Sequence, residues 1–154
     1  MTRILYFDID GTVLPIDDDE PKRLLRRGEL EKAIRGAGFE KLICAGNIGI
    51  VTRAVRGLGV DCDELKVVFE LLGDAIDDMD WFLAMTKMSV DPENRAASID
   101  LESDWWYVDD LAQYYLEKAH RSELLRSPAS KRIYVPRPKG DGSGLLKWLR
   151  SVPI

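Results

Sequence analysis

Four aspartates draw attention by where they stand. Asp8 and Asp10 follow an apolar run in "ILYFDIDGTVL" (4–14), and Asp109 and Asp110 close a second such run in "WWYVDD" (105–110). Continuous apolar runs suit parallel strands covered on both faces. The carboxyl ends of such strands share one edge of the sheet, where ligands bind. If the two strands are neighbours, four carboxylates converge, and like charges held together repel and raise one another's pKa. A hard divalent cation relieves that repulsion. Magnesium takes oxygen ligands and keeps waters that a phosphate can replace. The pattern predicts a magnesium site with one carboxylate left to react. The alternative is that each pair caps the turn behind it, a common use of Asp. One pair alone would not decide between these readings, and the repetition of the pattern favours the metal site.

The elements that must position these residues alternate. Strands are predicted at 3–8, 41–46 ("KLICAG"), 81–85 ("WFLAM"), 105–110 and 132–137 ("RIYVPR"). Helices are predicted at 29–37, 48–57, 63–78, 92–100, 111–125 and 142–152. In the first, Leu30, Ala33, Ile34 and Ala37 recur at helical spacing, and "GAGF" ends it. In the third, Asp63 is a plausible N-cap for the face formed by Leu65, Val68, Phe69, Leu72 and Ile76. Strands alternating with helices predict an α/β fold, a parallel sheet with helices on both faces. There is no internal repeat, low-complexity segment or linker, and 154 residues suit one domain.

Composition narrows the function. The chain is 45% hydrophobic and 32% charged, as a globular protein should be, with a formal net charge of -5. That balance gives no support to a nucleic-acid partner, which calls for basic patches, and the cluster Lys22, Arg23, Arg26 and Arg27 reads as a solvated face. No signal peptide or bilayer-spanning run is visible, so no membrane association and a cytoplasmic location are expected. Cys44 and Cys62 form no metal or redox motif. "KGDGSG" (139–144) lacks the ending of a P-loop, and Ser143 reads as a residue near a helix N-cap. Trp105 and Trp106 read as core, His120 as structural or exposed, and the acidic runs at 17–20 and 77–80 as solvated, the first with the alternative of fringing the active-site mouth.

"DIDGTVL" resembles motif I of the haloacid dehalogenase-like superfamily, a strand followed by D-x-D-G-T-x-[LV]. "WWYVDD" resembles that family's motif IV, and the order of elements is similar over nearly the whole chain. The resemblance implies a Rossmann-like three-layer α/β/α sandwich with about five strands in the order 5-4-1-2-3. It implies Asp8 as the nucleophile that forms an aspartyl-phosphate, and Asp10 as general acid and then base. The implied metal ligands for Mg2+ are Asp8, Asp10 through its carbonyl, and Asp110, with Asp109 assisting. Gly11 and Thr12 shape the turn after the nucleophile, with Thr12 beside the substrate. Lys87 is the best match to the motif III lysine, which offsets charge on Asp8 and the phosphoryl group; Arg95 and Lys131 are weaker matches. Strand two departs from motif II, because Ala45 stands where the family places Ser or Thr. Gly46 and Asn47 remain as donors to a phosphoryl oxygen.

The expected activity is a magnesium-dependent phosphatase. Asp10 argues against dehalogenase chemistry, in which the second aspartate of motif I is replaced. About thirty residues separate Thr12 from strand two, and 86–104 is short, so residues 1–154 are expected to be one hydrolase domain without a large cap. An uncapped site suits a large phosphorylated substrate, or a small one whose specificity another subunit of a homo-oligomer completes. The competing reading is a catalytically weak relative that binds phosphorylated ligands or partners, supported by Ala45. A receiver domain also has an acidic magnesium pocket, but D-x-D-G-T and the paired aspartates on strand four fit it poorly.

Overall fold

Five strands pair in parallel: β1 (Arg3–Phe7), β2 (Lys41–Cys44), β3 (Thr86–Met88), β4 (Asp104–Val108) and β5 (Ile133–Tyr134), in the order β3-β2-β1-β4-β5. This is the Rossmann-like order that the family resemblance implies. The computed structural model describes residues 1–8, 28–45, 76–89, 91–136 and 143–154. The readings made of Asp10, Gly11, Thr12, Gly46, Asn47, Cys62, the 17–20 acidic run, the basic cluster, the 48–57 helix and nearly all of the 63–78 helix lie outside them. Among the described residues, no helix is long and apolar enough to cross a membrane.

The register follows from burial. Alternate residues of a strand face opposite sides, and both sides of this sheet are covered. Leu5, Phe7, Leu42, Cys44, Trp106 and Val108 pack on one side with α1 (Glu29–Gly36), α2 (Met79–Met85) and α4 (Ser143–Arg150). Ile4, Tyr6, Trp105 and Tyr107 pack on the other with α3 (Ala112–Lys118) and with Ala96 and Ile99. Trp105 and Trp106 therefore fill two different cores. The edge strands are short, three and two residues, which limits the unpaired backbone they expose.

Three elements differ from expectation. "WFLAM" is helical, and the third strand is the next three residues. Asp78 caps this helix by accepting from the Trp81 amide at 3.0 Å, and Phe82 is fully buried while Ala84 is exposed. A five-residue apolar run does not tell strand from buried helix by periodicity; the cap decides it. Residues 92–100 make only a 3-10 turn over Pro92–Asn94 followed by bends. The 111–125 helix stops at Lys118, because His120 turns left-handed at φ 56°. The Arg121 amide then reaches back to Leu116 O at 2.8 Å, satisfying a carbonyl at the helix end, and a 3-10 helix continues over Ser122–Leu125.

Two glycines are needed where they are. Gly38 follows α1 at φ 76°, the left-handed conformation that ends helices at little cost only for glycine. Gly144 lies in α4 against Tyr134, and a Cβ there would run into the tyrosine hydroxyl. Leu42 sits inside the first core with no exposed surface. Leu42→Ala should cost ~2–5 kcal/mol by leaving a cavity, whereas Leu101→Ala, at an exposed turn, should stay within ~0.5 kcal/mol. Chemical denaturation of both variants checks this; equal midpoints would contradict the packing described.

Candidate active site

The site begins with the register of the two central strands. Phe7 pairs with Val108, so Asp8 and Asp109 emerge side by side at the carboxyl edge. The Asp8 amide donates to Val108 O at 3.0 Å and the Asp109 amide to Tyr134 O at 3.2 Å, carrying the ladder one residue past the strands. Asp110 follows, half-buried, with its Oδ1 shielded from solvent. One oxygen from each of Asp8, Asp109 and Asp110 lies within 4.8 Å of the others.

A cation reaches them from an unexpected place. Arg95 is buried, and its Nη1 donates to Asp8 Oδ1 at 3.2 Å and to Asp109 Oδ2 at 3.1 Å. Its guanidinium carbon stacks 4.1 Å from the Tyr115 ring centroid, an arrangement in which the ring face favours the charge. The turn that carries Arg95 is clamped from two sides. Arg121 donates to Ala96 O at 2.8 Å and Ile99 O at 2.9 Å, and the Asp100 amide donates to the Tyr6 hydroxyl at 3.1 Å.

Asp109 is the best-supplied carboxylate. Besides Arg95 it accepts from the Tyr107 hydroxyl at 2.8 Å and from the Leu111 amide at 2.9 Å. It therefore caps the turn behind it and faces the cluster at the same time, so the two sequence readings of this residue are compatible. Burial raises its pKa, against the pull of Arg95, the Leu111 amide and Tyr107. Burial, then the charge of Asp109 and a hydrogen bond with Asp110, push Asp8 up to about 8 from 3.8, with Arg95 opposing. Arg95 itself is held charged: burial disfavours the cation, but Asp109 and Asp8 outweigh it.

The arrangement has the donor set of a hard cation. Three carboxylates and one guanidinium leave a net charge of two minus when all are ionised, and the oxygens already converge. Asp8, Asp109 and Asp110 are the described residues that could hold a divalent ion such as magnesium.

Asp8, Asp109 and Asp110 are brought together as the sequence predicts. Lys87 is exposed in the edge strand β3. It pairs with Ile43, which pairs with Tyr6, so it shares the sheet face of Asp8 but sits one level back and two strands across. The cation on Asp8 among the described residues is Arg95. Ala45 follows β2, buried, with its amide donating to Phe7 O at 2.8 Å; it offers a methyl where the family resemblance would place a hydroxyl. The backbone is a Rossmann-like α/β fold with an acidic cluster at its carboxyl edge. No family model, curated protein or solved structure matches the chain.

Two measurements test this charge balance. In chelator the folded protein holds a proton on Asp8 that the unfolded chain releases near its ordinary value of 3.8. The contribution of this group is complete below about pH 4 and is lost as pH rises through about 8. The thermal midpoint of the metal-free protein should fall across that window, and magnesium should raise it more at the alkaline end; a larger magnesium effect at the acid end would contradict the cluster. Arg95→Met should cost ~3–5 kcal/mol, because it leaves buried carboxylates without their cation, and magnesium should recover part of that loss.

Proposed function

We propose that this chain is a haloacid dehalogenase-like phosphatase, a magnesium-dependent phosphoric monoester hydrolase working through an aspartyl-phosphate on Asp8. The observation that carries the reading is the convergence of Asp8, Asp109 and Asp110 within 4.8 Å beside a buried arginine. The likeness of "DIDGTVL" and "WWYVDD" to motifs I and IV supports it.

Asp8 is the nucleophile. One carboxylate oxygen forms a bond to phosphorus while the ester oxygen leaves with the bonding electron pair, splitting one difficult transfer into two easier ones. Asp10 gives its proton to that leaving oxygen. It then takes a proton from the water that attacks phosphorus, and the acyl-phosphate bond breaks to return Asp8 and release inorganic phosphate. Arg95 holds Asp8 and Asp109 in place and lowers the cost of keeping Asp8 ionised. Tyr107 and the Leu111 amide fix Asp109, so that its charge is aimed rather than mobile. Asp8, Asp109, Asp110 and the Asp10 carbonyl would hold magnesium, which would supply charge neutralisation for the incoming phosphate. The substrate is a phosphorylated small molecule or macromolecule, with no nucleic acid or membrane as partner, in the cytoplasm.

The second reading, a weakly active protein that binds phosphorylated ligands, is favoured by Ala45. Turnover of nitrophenyl phosphate and of an alkyl phosphate with magnesium decides between them. Asp8→Asn should abolish turnover, a loss of at least ~10³-fold for a covalent nucleophile, while the fold is kept. Asp10→Asn should slow the alkyl ester more than the nitrophenyl ester, whose leaving group needs little protonation. Full activity of Asp8→Asn would remove the mechanism, and an inactive wild type would favour the binding protein.

A further inference from the structure

We propose that the Ser89 hydroxyl is a phosphoryl-binding donor of this site, supplied from β3 in place of the one absent from β2; the proposal rests on the phosphatase reading above. The observation is a row of residues at the strand ends. Val108, Phe7, Cys44 and Met88 are aligned by their pairings. One residue further on, the row reads Asp109, Asp8, Ala45 and Ser89. The Ala45 amide donates to Phe7 O at 2.8 Å and the Ser89 amide to Cys44 O at 2.9 Å, so the ladder continues through this row. Aligned residues of a parallel sheet face the same side, which here is the side of Arg95.

A phosphoryl group joined to Asp8 needs hydrogen-bond donors for oxygens that a cation does not take. Toward β4 its neighbours are Asp109 and Asp110, which as carboxylates only accept. Toward β2 its neighbour is Ala45, whose side chain has no polar atom and whose amide is already bonded to Phe7 O. The next side chain is Ser89, and it is a donor. Ser89 is buried, 4% exposed, so its hydroxyl lies in the same inner row as Ala45 rather than on the outer surface.

The spacing suits a bound group rather than a direct bond. Asp8 and Ser89 are two strands apart, ~10 Å between backbones, too far for their side chains to meet. A tetrahedral phosphoryl group on Asp8, leaning across the Ala45 methyl, fills that interval. The small residue and the displaced donor thus form one arrangement.

The test is steady-state turnover of nitrophenyl phosphate with magnesium. Ser89→Ala should lower kcat/KM by about 10²-fold, the usual effect of removing one such donor. Ser89→Thr should retain most of the activity. Ala45→Ser placed in the Ser89→Ala background should recover about tenfold or more, because it restores a donor in the same row; a merely structural role for Ser89 would not respond to that change. If Ser89→Ala fails to fold, Ser89→Cys, similar in size and a poor donor, replaces it in the same comparison. An active wild type with an unaltered Ser89→Ala, or a loss that neither Ser89→Thr nor Ala45→Ser mitigates, overturns the proposal and leaves the phosphatase reading standing. A wild type inactive on every phosphoester overturns both.

Discussion

Phe7 and Val108 lie side by side in neighbouring parallel strands, and the acidic cluster follows from that alignment. The next residue on each strand is an aspartate, so one backbone register delivers two carboxylates to the same point. A slip of one residue would send Asp8 and Asp109 to opposite faces of the sheet. What prevents the slip is burial on both faces. Tyr6 and Tyr107 belong to one core and Phe7 and Val108 to the other, and no shifted pairing keeps all four inside equivalent surroundings. The hydrophobic effect here places charges that it could not itself tolerate.

Those charges then have to be kept. Arg95 is the described counter-charge, and it is held by a turn that the second core builds. Ala96 and Ile99 bury the turn, and Arg121, from beyond α3, donates to its carbonyls. Tyr115 of α3 lies under the guanidinium, so one short helix both covers the sheet and orients the arginine. Buried charges held in this way add little net stability, since desolvation offsets attraction. What these contacts do is hold the carboxylates and the guanidinium in fixed positions.

The parts of this scheme that the sequence made legible are those where one physical demand dominates. β1 and β4 are runs with no polar interruption, and only a doubly covered strand uses such runs. β3 was not legible, because three residues at an edge carry neither periodicity nor a full apolar run. "WFLAM" could satisfy either geometry, and its fate depended on the single cap at Asp78. Asp109 and Asp110 were readable from their position behind a strand. Arg95 was harder to see, because a buried arginine looks from sequence like any surface charge until its partners are known. Lys87 fitted a family spacing, but spacing along a chain does not say which cation the fold turns inward. Ser89 could not be weighed without the β2–β3 register, which sets it beside Ala45.

The two edges of the sheet show that charge balance, rather than the presence of aspartate, sets them apart. At the amino edge Asp104 also begins a strand in a partly buried place. It accepts from Arg3 at 2.7 Å, Arg132 at 2.7 Å and the Trp106 indole at 3.0 Å. Burial would raise its pKa, but those bonds win and hold it below the ordinary value. That carboxylate is saturated: two guanidinium groups and an indole serve one acid, and the result is a clamp between β1, β4 and the segment before β5. At the carboxyl edge one described guanidinium bonds two of the three clustered acids, Asp8 and Asp109, and Asp8 moves the other way, up to about 8. The same side chain in the same sheet is therefore inert at one end and under electrostatic strain at the other. Aspartates at the two ends of one sheet thus differ in how their charge is balanced, and a carboxylate shifted in this way within a cluster is what marks a candidate site.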